Sequence, residues 1–295
     1  MNENNKIVPT SSIKRRERIS NCISYAVLII ISIIWLLPFF MLVCQSFISR
    51  EELMSTSAVY VIPKAFSLDN YRFLLSSESG FVRWYGNTLI IAIFVSAIQT
   101  AVVLCVAYAL SRLRFKGRTF LMKFWLILGM FPGFLTMICL YFILREMGLT
   151  QAGAIPGLIL IGTASSGMGY YVCKGFFDTI PKALDEAARI DGASRARIFF
   201  VITMPMSKPI LIYTALVAFM GPWCDYVFAS YVAFAYSKSY NVAVGLQSWV
   251  WSQEYSGYFT RFCAGGILVA VPVTILFMLL QKYYVEGVTG GAVKG

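Results

Sequence analysis

Long uncharged apolar windows are the feature that most constrains how this chain can fold. A lipid-spanning helix needs about 20 apolar residues, because all of its backbone hydrogen bonds must be satisfied within the segment. Six windows of sufficient length separate the charged clusters of the 295-residue sequence. They are residues 19–49, 84–111, 124–144, 147–173, 209–231 and 262–281. None alternates as a membrane β-strand would, so the sequence predicts an all-α membrane protein with six transmembrane helices.

The distribution of basic residues predicts the orientation, because Lys and Arg in short loops stay on the cytoplasmic side. With the N-terminus inside, 18 of the 25 Lys and Arg residues lie on the cytoplasmic side and 7 on the outer side. This bias accounts for the net charge of +11, so a nucleic-acid partner is not expected. Both termini are therefore predicted to be cytoplasmic. The first apolar run is too long for a signal peptide and is interpreted as an uncleaved span.

Residue types that most catalytic and redox sites require are scarce. The sequence contains no His, no Cys-x-x-Cys spacing among its 7 Cys residues and no phosphate-binding G-x-x-x-x-G-K-[ST] loop. We therefore expect no catalytic residues, metal or cofactor, and ATP hydrolysis would have to belong to another polypeptide. Asp225 is the only ionisable residue inside an apolar window, and it lies toward the outer end of that window. Ion-driven carriers usually bury such groups near the midplane, so this class is disfavoured.

A charged segment between the fourth and fifth windows, residues 181–205, has the pattern of a helix, a tight turn and a second helix. Pro181 suits the first turn of a helix, and Gly192 can adopt the left-handed conformation that ends one. Ser194 can then cap the second helix. We expect this segment to lie at the cytoplasmic membrane surface and to act as a docking surface rather than an active site.

The tip of this segment combines small side chains with carboxylates. Four small residues, which would let the backbone of a partner approach closely, are Ala187, Ala188, Gly192 and Ala193. Glu186 and Asp191 beside them offer carboxylates to Arg side chains of a partner. The alternative is an ordinary solvated amphipathic loop, since helix–turn–helix loops are common.

The order Glu186-Ala187-Ala188, Gly192 and Met204-Pro205 resembles the EAA loop of permease subunits of ATP-binding-cassette (ABC) importers. The resemblance implies the type I ABC importer permease fold, in which this loop docks into a cytoplasmic ATPase and transmits its closure to the membrane helices. By the same resemblance, the residues that couple to the ATPase are Glu186, Ala187, Ala188, Gly192 and Ala193.

Residues along nearly the whole chain resemble the carbohydrate-uptake branch of this family, including Asn87-Thr88 and Arg112. Residues 287–295 resemble the C-terminal tail of the smaller maltose and maltodextrin permease, which reaches into the interface between two ATPases. This likeness implies ATPase contacts for Gly290, Gly291, Lys294 and Gly295. Without the likeness, a glycine-rich tail would be expected to be merely flexible.

Five residues are candidates for the translocation path: Asp225, Trp223, Tyr226, Ser165 and Ser166. Gly221-Pro222 should kink the fifth span there, which favours contact with protein or water over lipid. Each candidate has a structural alternative. The carboxylate could lie at the membrane interface, the aromatic rings could belong to the interfacial belt, and the serines could serve close helix packing.

The pattern and the resemblance together predict a layout in six segments. They are residues 1–20, a basic cytoplasmic N-terminus; 21–48, the first transmembrane helix; 49–83, an extracytoplasmic loop; 84–285, a permease domain with five further helices; 174–208 within it, the cytoplasmic EAA coupling loop; and 286–295, a cytoplasmic tail.

The resemblance implies a multi-pass subunit of the bacterial plasma membrane. It would pair with a second, related permease and two ABC ATPase subunits, and would receive sugar from an extracytoplasmic sugar-binding protein. Maltose or maltodextrin is the expected substrate. A permease for a non-sugar solute and an ion-coupled secondary carrier are the alternatives.

Overall fold

The computed structural model describes residues 10–55, 62–164, 167–251 and 258–289. Within these ranges the regular structure is helical and contains no β-strand, as the apolar windows predict. The α-helices are α1 (Thr10–Ser46), α2 (Arg50–Ser55), α3 (Asp69–Leu75), α4 (Phe81–Arg112), α5 (Arg118–Gly129), α6 (Gly133–Glu146), α7 (Ala154–Ala164), α8 (Gly167–Thr179), α9 (Lys182–Ile190), α10 (Arg195–Ile198), α11 (Met204–Met206), α12 (Lys208–Cys224), α13 (Val227–Ala233), α14 (Val242–Trp251) and α15 (Phe259–Thr289). Short 3₁₀-helices occupy Gln151–Gly153 and Ser237–Ser239, and a π-helix occupies Phe199–Thr203.

In the part of the chain that the structure describes, three helices are long and apolar enough to cross a membrane without interruption. They are Glu17–Ser46 within α1, the whole of α4, and Phe259–Lys282 within α15. α1 has 37 residues, so at about 1.5 Å per residue it is longer than the roughly 30 Å hydrocarbon layer and extends beyond it. Many of its apolar side chains are exposed, including Ile34 and Trp35, as expected for a helix that faces lipid.

Three further pairs of consecutive helices among the described residues are bent at a short break, which gives up to six spans if each pair crosses once. α5 and α6 meet at 100°, and the segment Arg195–Met206 meets α12 at 83°. The sequence predicts one uninterrupted span over residues 124–144, whereas the structure breaks it before Gly133. Pro132 explains the break, because it lacks a backbone N–H and pushes the preceding residue away from helical geometry.

α4 lies at the centre of the fold and contributes to three buried clusters along its length. Near its N-terminus, Trp84 packs against Trp249 with ring centroids 5.3 Å apart. Near its middle, Val95 packs with residues of α7 and α13. Near its C-terminus, Tyr108 packs with residues of α8 and with Phe199. α4 therefore connects the region around α13 to the charged segment around α9.

Candidate coupling surface and transport cavity

α9 and the turn after it have the geometry that the sequence predicts. α9 follows Pro181, and Gly192 has a φ of +79°, in the left-handed region that favours glycine. The Gly192 amide donates to the Arg189 carbonyl at 3.0 Å, and the Ala193 amide donates to the Ala188 carbonyl at 2.9 Å. These two bonds form a Schellman motif, which satisfies the last carbonyls of the helix.

The second helix begins at the predicted cap but is irregular. Ser194 Oγ accepts a hydrogen bond from the Arg197 amide at 3.2 Å and so caps α10. After α10 the backbone widens into the π-helix Phe199–Thr203, which the sequence analysis did not predict. Such insertions frequently occur at functional sites. The Tyr108 hydroxyl donates to the Arg195 carbonyl at 3.4 Å, so α4 contacts this segment directly.

Most of the predicted coupling residues lie at the surface of this segment. Ala193 is partly exposed, whereas Ala188 is buried and packs inward. Ile190 is 88% exposed and adds a large apolar side chain. Apart from its two chain neighbours, no described residue has an atom within 4 Å of a Cβ placed on Gly192, so the turn is open to a partner. The coupling surface is defined here as Glu186, Ala187, Ile190, Gly192 and Ala193.

A buried ion pair joins α9 to the C-terminal end of α4. Arg112 Nε lies 3.1 Å from Asp185 Oδ2, and the two side chains are only 2% and 10% exposed. Arg112 Nη2 also donates to the Ile180 carbonyl at 2.9 Å, and Ser111 Oγ donates to Asp178 Oδ1 at 2.6 Å. These contacts join the end of α4 both to α9 and to the C-terminal end of α8. The sequence pattern does not predict this pair, because Arg112 and Asp185 are far apart along the chain and meet only after folding.

A cavity with a volume of about 570 Å³ lies beside the middle of α4. Its wall is mainly apolar, with contributions from α4, α5, α6, α7, α12 and α13. Its polar lining residues are Gln99, Thr136, Asp225 and Asn241. Gly221 and Pro222 also line it, as expected if this part of the fifth window faces a cavity rather than lipid. A largely apolar pocket with a few polar groups is typical of small-molecule sites.

Asp225 and Asn241 connect the helices at one end of the cavity. Asp225 Oδ1 accepts the Phe228 amide at 3.2 Å, which stabilises the start of α13. Asn241 Nδ2 donates to the Asp225 carbonyl at 2.6 Å and to the Pro222 carbonyl at 3.3 Å, in the last turn of α12. Asp225 forms no ion pair with any described residue.

The sequence analysis did not single out Asn241. Its Oδ1 accepts the Val244 amide at 2.9 Å, so it caps α14. An Asn directly before the apolar run that opens a helix is a recognisable cap signal, and it could have drawn attention to this position.

The other path candidates occupy different positions. Trp223 is 3% exposed and packs edge-to-face on Tyr85, with ring centroids 5.1 Å apart. Tyr226 is 38% exposed, and neither aromatic residue lines the 570 Å³ cavity. Ser165 and Ser166 lie outside the described residues. The same holds for the tail residues Gly290, Gly291, Lys294 and Gly295.

Comparison with known proteins places this arrangement in a family. The model of the family described as the binding-protein-dependent transport system inner membrane component matches residues 101–290. The chain belongs to this family. The match includes both the coupling surface and the residues that line the cavity from α5 to α13. Membership agrees with the apolar spans and assigns a multi-pass protein of the bacterial plasma membrane.

Similar proteins include sugar permeases. The galactooligosaccharides transport system permease protein GanQ of Bacillus subtilis (strain 168) is 36% identical over 97% of this chain and 99% of its own length. The maltodextrin transport system permease protein MdxG of the same organism is 38% identical over 78% of this chain and 82% of its own length. These relatives are transport permeases and not enzymes.

A solved structure shares the fold. The crystal structure of a bacterial ABC transporter involved in the import of the acidic polysaccharide alginate contains a chain that matches with a TM-score of 0.76 and 24% identity. The match covers 92% of this chain and 98% of that chain. The architecture described above is therefore also that of a chain of this transporter.

Proposed function

We propose that this chain is a permease subunit of an ATP-driven importer that moves an oligosaccharide across the bacterial plasma membrane. Family membership and the sugar-transport names of the relatives support the class of function. The observation that carries the coupling part is the position of α9, which presents small residues outward and is held to α4 by the buried pair Arg112–Asp185.

The coupling surface is suited to dock against an ATPase subunit. Gly192 leaves room for the partner's backbone, and Ile190 provides an exposed apolar side chain that a partner can bury. Glu186 offers a carboxylate to a basic residue of the partner. Ala188 is buried, so we assign it a supporting role through packing rather than direct contact.

Motion of α9 would reach the cavity through α4. A displaced α9 pulls on the end of α4 through Arg112, and α4 also supplies Ile91, Val95 and Gln99 to the cavity wall. If ATP binding favours one of two arrangements of these packed helices, the cavity alternates between the two sides of the membrane. Closed ATPases would correspond to the outward-open arrangement.

The proposed assembly contains a second, related permease, two ABC ATPase subunits and an extracytoplasmic sugar-binding protein. The description of the family supports dependence on a binding protein. The heterodimeric permease pair and the tail contacts of Gly290, Gly291, Lys294 and Gly295 with the ATPases rest on the sequence resemblance alone.

Within the cavity, we propose that the Asp225 carboxylate accepts hydrogen bonds from sugar hydroxyls and that the Gln99 amide accepts from them or donates to them, while apolar residues contact the ring faces. Relatives named for galactooligosaccharides and for maltodextrin both support a short oligosaccharide. Maltodextrin is our preferred substrate, since the C-terminal tail resembles that of maltodextrin permeases.

Uptake measurements in the native host test this function. Deletion of the gene should abolish uptake of labelled maltodextrin or of labelled galactooligosaccharide, and the wild-type gene should restore it. ATP depletion should stop the restored uptake, whereas a protonophore at constant ATP should not. Uptake that collapses with the ion gradient at constant ATP would contradict the proposal, as would unchanged uptake of both sugars in the deletion strain.

A further inference from the structure

A second cavity lies between the C-terminal end of α4, the start of α5 and α9, and has a volume of about 290 Å³. It is strongly basic, since only Asp185 and Glu186 among its lining residues are acidic. Its six basic lining residues are Arg112, Arg114, Arg118, Lys182, Arg189 and Arg195. The ion pair with Asp185 uses only one of these cations, so the cavity keeps an excess of positive charge.

Arg112 provides a buried donor that lacks an acceptor. Its side chain is 2% exposed, yet Nη1 has no hydrogen-bond partner among the described residues. Nε lies 3.1 Å from Asp185 Oδ2 but forms no hydrogen bond with a described residue, and Nη2 donates to the Ile180 carbonyl. Buried guanidinium donors without partners are unfavourable. An anionic oxygen bound in the cavity would supply the missing acceptor.

A shallow groove that contains two exposed aromatic rings adjoins the basic cavity. It has a volume of about 460 Å³ and shares Arg114 and Arg118 with the cavity. Phe115 and Phe120 line this groove and are 42% and 69% exposed. The Phe120 ring stacks on Phe124 with centroids 6.0 Å apart, which extends the apolar surface along α5. A cationic cavity that opens onto exposed aromatic rings matches a molecule with an anionic head and an apolar tail.

The cavity also lies at one end of a helix that is long enough to cross a membrane. α4 ends at Arg112 and the apolar α5 begins at Arg118, so both charged residues lie at the ends of apolar helices. We propose that this cavity binds the phosphate headgroup of an anionic phospholipid, with an acyl chain lying against Phe115 and Phe120. Basic pockets between helices at this level of a membrane protein are suited to phospholipid headgroups.

The test measures lipid binding to the purified full-length chain in a neutral detergent, without ATP or sugar. The dissociation constant of phosphatidylglycerol is determined by native mass spectrometry. The double substitution Arg114→Gln/Arg118→Gln should weaken binding about 10- to 30-fold, since each cation near the surface contributes appreciably. The matched control Lys116→Gln/Lys123→Gln removes the same charge from neighbouring positions outside both cavities and should leave binding within about threefold.

Two further arms identify the source of the phosphate. Phosphatidylcholine should bind more weakly than phosphatidylglycerol, and free glycerol phosphate at the same concentration should not displace the lipid. If the two double variants lost the same affinity for phosphatidylglycerol, the loss would come from overall charge alone. That result would overturn the proposal. Displacement by glycerol phosphate, or release of the lipid when ATPase subunits are added, would assign the cavity to a soluble anion or to the ATPase instead. Because no transport is measured, these outcomes are independent of the proposed function.

Discussion

At the scale of single residues, two glycines occupy equivalent positions in helix-ending turns. Gly192 follows α9 with a φ of +79°, and Gly148 follows α6 with a φ of +70°. In both turns the glycine amide donates to the carbonyl of the residue three positions earlier. The amide of the next residue donates to the carbonyl five positions before it. Apart from the two chain neighbours of each glycine, no described residue has an atom within 4 Å of a Cβ placed on it. The backbone requirement is therefore the same at both sites, and only the proposed docking role differs.

This equivalence allows the docking role of Gly192 to be separated from its role in the turn. Gly192→Asn should leave the thermal stability of the purified protein nearly unchanged, because Asn tolerates the left-handed conformation. The same substitution should lower ATP-coupled sugar uptake about tenfold, because a side chain inserted into a close-packed contact costs about 1–3 kcal/mol. The measurement is uptake in cells alongside the midpoint of thermal unfolding.

Gly148→Asn is the matched control for this prediction, since it makes the same change in the same type of turn at the opposite end of the membrane domain. It should alter neither uptake nor stability. If Gly192→Asn also transports at the wild-type rate, Gly192 serves only the turn, and the docking surface must lie elsewhere on α9.

At the scale of elements, the predictions from sequence succeeded where the signals are local. The start of α9 after Pro181, its end at Gly192 and the cap at Ser194 all follow from residues within one turn of the feature. The break between α5 and α6 also had a local signal, since Pro132 is adjacent to Gly133, but the apolar composition of the window obscured it. Composition reports burial in lipid and carries no information on helix direction.

Contacts between elements had no local signal. The pairing of Arg112 with Asp185 and the bonds from Asn241 to the end of α12 join residues that are distant in sequence. Both contacts are essential to the proposed function. The ion pair attaches α9 to α4, and the Asn241 hydrogen bonds fix one end of the cavity. The sequence therefore predicted the end of α9, the Gly192 turn and the Ser194 cap. It predicted the cavity only through Asp225 and Gly221-Pro222.

The junction between α4 and α9 can be tested by its ion pair. Arg112→Gln or Asp185→Asn alone should lower the free energy of unfolding by about 3 kcal/mol, since each leaves an unpaired buried charge. The double variant should lose less than the sum of the two, because it buries no unpaired charge. Thermal unfolding followed by tryptophan fluorescence, in detergent without anionic lipid, gives the comparison.

Lys116 is exposed and lies close to Arg112 in sequence. Lys116→Gln should change the free energy of unfolding by less than about 0.5 kcal/mol. A role in coupling, beyond stability, predicts that the double variant hydrolyses more ATP per sugar imported than the wild type does. If the loss of stability in the double variant equalled the sum of the two single losses, the two charges would not interact. The proposed link between α9 and α4 would then fail.

At the scale of the whole molecule, the direction of α4 determines on which side each candidate region lies. α4 has 32 residues, or about 48 Å at 1.5 Å per residue, which is enough to cross the hydrocarbon layer. Ser77 lies before its N-terminal end, and Ala196 lies in the segment that contacts Tyr108 and Arg112 at its C-terminal end. These two exposed positions should therefore be on opposite sides of the membrane.

The basic-residue bias specifies which side is which, and cysteine labelling can test that orientation. In a background with all 7 native cysteines replaced by Ala, Ser77→Cys should react with a membrane-impermeant maleimide in intact spheroplasts. Ala196→Cys should react only after permeabilisation, because the coupling surface is placed in the cytoplasm by the excess of Lys and Arg around it. The reverse pattern would put α9 on the side of the sugar-binding protein, where no ATPase can dock. Labelling of both positions in intact spheroplasts would mean that α4 does not cross the membrane, and the path from α9 through Arg112 to the cavity would then have no transport role.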